Sequence, residues 1–249
     1  MVMDRNPSSY NSDTHLVIIP TYNESENVDQ FIEEISNINV SVLFVDDNSP
    51  DGTGEIINKF ALENNQINLI QRPSKLGLGS AYRDGFSWGL ERNFNFFIEM
   101  DADFSHQFND LTKILNNSQM HDLVIGSRYV DDGGSKGWDT KRKLLSVTAN
   151  KASKLILLTN VNDLTSGFRC YSRKALELIN YSSTLSDGYS FQIEMTLRCV
   201  ENNLSIKEVP IIFNERVLGN SKMSKKIILE AFLFLVKNGI KRWLNLKIS

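Results

Sequence analysis

Two aspartates separated by one alanine, Asp101 and Asp103, stand at the end of the apolar run in "FIEMDADFSH" (97–106). Residues two apart on an extended chain project the same way, and adjacent carboxylates repel unless positive charge sits beside them. A divalent cation answers that repulsion. Mg2+ takes one or two protein carboxylates and completes its octahedron with water and phosphate oxygens, which suits a nucleotide diphosphate better than an all-protein cage. Aspartates at strand ends also form turns and cap helices, so the pattern alone does not decide between the two uses. Three further segments add polar groups that could meet a ligand: "PTYNE" (20–24), "DDNSPDGT" (46–53) and "SRY" (127–129).

These clusters need a scaffold that delivers them to one edge. Each follows a short run rich in β-branched and aromatic residues: "HLVIIP" (15–20), "SVLFVD" (41–46), "NFFIEM" (95–100) and "DLVIGS" (122–127). "INLIQR" (67–72) and "KEVPIIF" (207–213) complete six expected strands. "SENVDQFIEEISNI" carries Val28, Phe31, Ile32, Ile35 and Ile38 at helical spacing, and "SAYRDGFSWGLERN" precedes the fourth strand in the same way. Strands apolar on both faces, alternating with helices, imply an α/β fold with a mostly parallel sheet flanked by helices. Ligands of such sheets bind outside the carboxyl ends of the strands. "KLGLGSAYRDG" matches neither GxGxxG nor GK[ST], so Gly77 and Gly79 are expected to permit a tight turn before a helix.

Apolar content of 41%, charged content of 23% and a formal charge of −3 describe an ordinary globular chain and give no sign of a nucleic-acid partner. Two cysteines, Cys170 and Cys199, are too few for a disulfide framework and have no metal-ligand spacing, so both are expected to be buried thiols. The polar start (1–14) lacks a secretory h-region and is expected to be a leader to one domain spanning 15–249, in the cytoplasm.

"VIIPTYNESENV", "VDDNSPDGT", "MDADFSH", "GSRY", "LTSGFRCYSRKAL" and "GNSKM" together resemble the dolichol-phosphate mannosyltransferase (polyprenol monophosphomannose synthase) branch of the family 2 glycosyltransferases, of GT-A fold. The likeness runs from His15 to about Lys237. It implies that Pro20, Tyr22, Glu24, Val45 and Asp47 hold the base and ribose of a nucleotide sugar. It also implies that Asp101, Ala102 and Asp103 meet the donor and a divalent metal, Mg2+ or Mn2+. Ser105 stands where some relatives place a glutamine ligand, and its shorter hydroxyl reaches the metal directly or through a water. Arg128, Arg142, Arg216 and Lys222 match positions used around the acceptor phosphate and donor diphosphate. Arg216 and Lys222 flank Gly219 in a loop expected to close over the donor.

The implied reaction is inverting transfer of mannose from GDP-mannose to a polyprenyl monophosphate; another nucleotide sugar such as UDP-glucose, or a non-catalytic nucleotide-sugar-binding subunit, are the alternatives. A phosphate monoester is largely dianionic at neutral pH, so the nucleophile needs no general base. His106, the histidine nearest these motifs, is accordingly expected in a turn or supporting role. The lipid lies in a membrane, yet no apolar run is long enough to span one. Peripheral attachment at the cytoplasmic face is expected through a C-terminal amphipathic helix (about 223–245), with "KLLSVTANKASKLILL" (143–158) as a second candidate.

Overall fold

The computed structural model describes residues 10–184, 186–215, 225–244 and 246. Five expected strands form where the β-branched runs lie: β1 (His15–Thr21), β2 (Ser41–Asp46), β3 (Ile67–Gln71), β4 (Phe96–Glu99) and β5 (Leu123–Ser127). They are followed by β6 (Gly134–Lys136), β7 (Arg169–Ser172), β8 (Ile206–Pro210) and β9 (Ile212–Asn214). The helices are α1 (Val28–Ile35), α2 (Thr53–Glu63), α3 (Leu78–Glu91), α4 (Phe108–Ser118), α5 (Thr140–Ile156), α6 (Arg173–Ile179), α7 (Gly188–Glu201) and α8 (Lys225–Trp243).

Alternation along each strand divides the core into two layers. Leu16 and Ile18 join Phe97, Leu123 and Ile125 under Tyr82 and Phe86 of α3 and Phe191 of α7. Val17 and Ile19 join Val42, Phe44, Ile98 and Val124 under Phe31 of α1 and Leu111 and Ile114 of α4. Each such side chain removed from water contributes about 1.5–3 kcal/mol. The sheet order is β3-β2-β1-β4-β7-β5-β8, and β7 alone runs antiparallel to its neighbours. Pro20 pairs with Val45, Thr21 with Asp46 and Ile18 with Glu99, so the carboxyl ends of β1, β2 and β4 come level at one edge.

The structure departs from the expected strands in two places. "KEVPIIF" is not one strand, because β8 ends at Pro210 and β9 leaves the main sheet to pair with β6. The break at Ile211 is held by its N–H donating to the Ser127 carbonyl and by Gly134 N–H donating to the Ile211 carbonyl, at 3.1 and 2.9 Å. The second departure is β7, a strand of only four residues slotted between β4 and β5. Its Cys170, and Cys199 of α7, are buried, and burial pushes both thiols up, which leaves them unreactive packing groups.

Candidate active site

At the ends of β1 and β2, much of the polar sequence holds the edge together. Buried Asp46 accepts from Thr21 Oγ1 at 3.0 Å and from Ser49 Oγ at 2.6 Å, and Asp51 accepts from Thr53 Oγ1 at 2.6 Å. Asn23 and Glu24 donate their backbone N–H groups to Ser49 and Thr53. Glu24, Tyr22 and Pro20 are half-buried at this edge, with Lys75 Nζ 3.8 Å from the Tyr22 ring centroid. Val45 is fully buried in the α3-side core, so it has only backbone to offer a nucleotide.

Asp47 has a partner that sequence reasoning missed. Buried Arg72 donates from Nε to Asp47 Oδ1 at 2.5 Å and from Nη2 to the Gly77 carbonyl at 2.9 Å. The guanidinium thereby ties the β2 end to the glycine loop. Gly77 has φ of 101°, a left-handed value that side chains rarely adopt, and a Cβ there would fall 2.0 Å from Asp187 Oδ2. Gly79 N–H donates to Asp187 Oδ1 at 2.5 Å. Gly77 stands at the N-cap of α3 and Gly79 in its first turn, and both make room for the Asp187 carboxylate at the start of α7.

Beyond β4 the expected extended geometry does not hold. The strand ends at Glu99, residues 102–106 form a bent segment and Phe104 has φ of 59°, so two-residue alternation does not set how the aspartates point. The bend has its own causes: Ser105 N–H donates to Asp103 Oδ1 at 3.0 Å, and Asp101 N–H donates to His106 Nδ1 at 3.2 Å. Asp103, Ala102, Ser105 and His106 are buried and Asp101 half-buried. The His106 ring stacks on Phe168 at 4.6 Å and meets Phe213 edge-on at 5.5 Å. It shapes the aspartate loop, as its expected supporting role requires. Asn214 N–H donates to the Ser105 carbonyl at 3.0 Å, which staples the loop to β9.

The same β9 leads to two of the expected cations. Phe213 packs on Trp138 at 5.6 Å, and the guanidinium carbons of Arg128 and Arg142 lie 5.6 and 4.5 Å from the Trp138 ring centroid. Arg128 donates from Nε and Nη2 to the two Asp163 oxygens at 2.8 and 2.7 Å, and Nη2 also reaches Thr165 Oγ1 at 2.8 Å. Asp163 is fully buried; burial pushes its carboxyl up, but the charge and hydrogen bonds of Arg128 outweigh this and hold it below the usual range. Arg142, in the first turn of α5, pairs with Glu215 at 2.8 Å. Arg216 and Lys222 lie outside the described residues.

Beneath Asp101, Glu99 is buried in the sheet opposite Arg169, and neither of its carboxylate oxygens has a hydrogen-bond partner. Burial pushes this carboxyl up to about 8, against the charge of Arg169. The group therefore keeps its proton in the fold, whereas the unfolded chain releases it near 4.5. Stability should fall as pH rises from 4.5 to 8, by roughly 4 kcal/mol across that window. Glu99→Gln removes the ionisation, so denaturant titrations at pH 5 and pH 8.5 should find a flatter profile in the variant and its main gain at the higher pH.

An acidic loop and an arginine pair, joined through His106, Phe213 and Trp138 at the carboxyl edge of a parallel sheet, can hold a cation-bound diphosphate beside a second anion. Known proteins resemble the chain over most of its length. The polyprenol monophosphomannose synthase of Mycolicibacterium smegmatis is 45% identical over 230 residues, 91% of this chain and 87% of that protein. The undecaprenyl-phosphate mannosyltransferase of Micrococcus luteus is 42% identical over 235 residues, 93% of this chain and 97% of that protein. Glucosyl-3-phosphoglycerate synthase from Mycobacterium tuberculosis, solved with Mn2+, uridine diphosphate and glucosyl-3-phosphoglycerate, matches the fold with a TM-score of 0.64 at 16% identity, covering 95% of this chain and 81% of that one. With a model of Glycosyl transferase family 2 matching residues 16–179, this GT-A-type chain belongs to glycosyl transferase family 2.

Proposed function

We propose that this enzyme transfers mannose from GDP-mannose to the phosphate of a polyprenyl monophosphate, with inversion at the anomeric carbon. The observation that carries the proposal is the Arg128–Trp138–Arg142 group, linked through Phe213 and His106 to the aspartate loop, which supports a second anion site beside the donor's. The names of the two relatives support the same sugar and the same class of acceptor.

Asp101 and Asp103 would hold Mg2+ or Mn2+. The fit is chemical: two carboxylates on one bent loop, together with buried Ser105 Oγ, which has no hydrogen-bond partner, offer an all-oxygen donor set. Bound there, the ion supplies charge neutralisation to the departing diphosphate.

Pro20, Tyr22, Glu24, the Val45 backbone, Asp47 and Ala102 would position the nucleotide, with Arg216 serving its diphosphate and Lys222 the acceptor phosphate. Arg128 and Arg142 hold the acceptor phosphate, whose oxygen attacks the anomeric carbon as the bond to GDP breaks. Placing one dianion against another requires these fixed positive charges more than it requires a base.

We further propose that α5 and α8 rest on an anionic membrane surface at the cytoplasmic face. Among the described residues no helix is long and apolar enough to cross a membrane. The buried residues of α5 are polar, Asn150 and Ser153, while Leu144, Leu145 and Leu155 are 66%, 67% and 71% exposed. α8 packs beside α5, where Trp243 Nε1 donates to the Ile156 carbonyl, and exposes Leu233, Val236 and Ile240. Lys141, Lys143, Lys151 and Lys237 are exposed on these helices, a composition suited to headgroups.

The test is turnover of GDP-mannose on vesicles containing undecaprenyl phosphate and anionic lipid, with Mg2+ or Mn2+, and UDP-glucose in parallel. Mannosyl-lipid from GDP-mannose alone is expected. Product from UDP-glucose instead, or GDP binding without turnover of any donor, overturns the proposal. Leu144→Glu with Leu145→Glu should slow the vesicle reaction about tenfold and spare turnover of a soluble short-chain acceptor.

A further inference from the structure

Arg128 and Arg142 are held to different degrees. Arg128 is locked into the buried Asp163 carboxylate, whereas Arg142 is 40% exposed and its ion-pair partner Glu215 is 47% exposed. Surface pairs of that kind add little and do not fix a long side chain. Trp138 supplies what the ion pair does not. Its ring is in range of both guanidiniums, at 5.6 and 4.5 Å, and its own position is set by Phe213 on β9.

The turn before Trp138 is built for this placement. Gly137 has φ of 85°, and a Cβ there would come 2.7 Å from the Glu215 Cβ, so the chain passes close under Glu215. Trp138 Nε1–H is shielded from solvent and has no hydrogen-bond partner, a cost that a neighbouring oxyanion would relieve. Two cations around one ring repel each other, and each is balanced by a carboxylate. Asp163 is buried and permanent; Glu215 is exposed and able to give way to an incoming anion.

Building on the acceptor site proposed above, we propose that Trp138 is a positioning residue that holds Arg128 and Arg142 as a single clamp for a phosphate monoester. Its flat face spaces the guanidiniums, and the clamp selects a dianionic monoester over an uncharged alcohol, because two like charges on one ring repel until a dianion sits between them.

The test varies farnesyl phosphate at saturating GDP-mannose in the parent enzyme, Trp138→Ala and Trp138→Phe. A lost cation–π contact of roughly 1.4 kcal/mol corresponds to a tenfold change. Trp138→Ala should raise the farnesyl phosphate KM about tenfold or more and leave the GDP-mannose KM within about twofold. Trp138→Phe, which keeps an aromatic face, should recover most of the loss. An unchanged acceptor KM in Trp138→Ala, or acceptor and donor KM rising together, overturns the clamp even if mannose transfer is established.

A second measurement does not depend on the alanine variant folding. With Trp88 and Trp243 replaced by Phe, Trp138 is the sole tryptophan of the three, and its fluorescence should respond to farnesyl phosphate. No response overturns the clamp. If the parent enzyme takes no mannose from GDP-mannose yet this fluorescence responds, the donor assignment fails and the clamp stands.

Discussion

Asp103→Asn should lower the rate of sugar transfer by about a thousandfold while the protein remains folded and monodisperse. Asparagine keeps an oxygen that can accept the Ser105 N–H, the contact that bends the loop at 3.0 Å, so local geometry survives. What is lost is negative charge at the place proposed for the cation, and removing one electrostatic contact to developing charge costs on the order of 10²–10³ in rate. Asp103→Ala should add a stability loss of about 1 kcal/mol, because it also strands the Ser105 N–H. Steady-state rates across a Mn2+ titration, paired with thermal unfolding of both variants, separate the two effects. Full activity in Asp103→Asn at any metal concentration would remove Asp103 from the metal site.

The contrast between Asp103 and its neighbours shows what a sequence can specify here. Strands buried on both faces leave a long apolar signal, and β1, β2 and β5 lie where that signal runs. β7 leaves almost none: "RCYS" is four residues long, begins with an arginine and follows no alternation, yet it sits near the sheet centre because Arg169 finds its partners inside the fold. Candidate ligands were legible as polar residues just past those strands, because a parallel sheet delivers them to one edge. Their partners were not. Arg72 behind Asp47, Asp163 behind Arg128 and Trp138 between two arginines are contacts separated by 25, 35 and 10 or fewer residues of chain, and no local pattern encodes them. One signal was available: Glu99 is an acidic residue inside the apolar run "NFFIEM", where burial keeps it protonated in a strand position opposite Arg169.

Arg169, the residue across from Glu99 in the sheet, carries the second large effect. Arg169→Leu should destabilise the protein by about 3–5 kcal/mol, because breaking a buried, hydrogen-bonded charge strands everything it served. Arg169 is fully buried and donates to the Ser166 carbonyl at 2.5 Å, the Leu164 carbonyl at 2.8 Å and the Gln192 carbonyl at 2.9 Å, and to Thr196 Oγ1. One side chain therefore joins the 164–166 turn to α7 across the sheet edge. For a chain of this size the loss corresponds to a fall in Tm of roughly 10 °C. Arg169→Lys should recover only part, since an ammonium cannot reproduce the planar fork that spans carbonyls on two elements. The consequence extends to chemistry, because the turn that Arg169 holds also carries Asp163, and Asp163 orients Arg128. Assayed below its melting range, Arg169→Lys should therefore show a raised acceptor KM with an unchanged donor KM. If both constants stay at parental values while Tm drops, Arg169 serves stability alone and the turn does not transmit to Arg128.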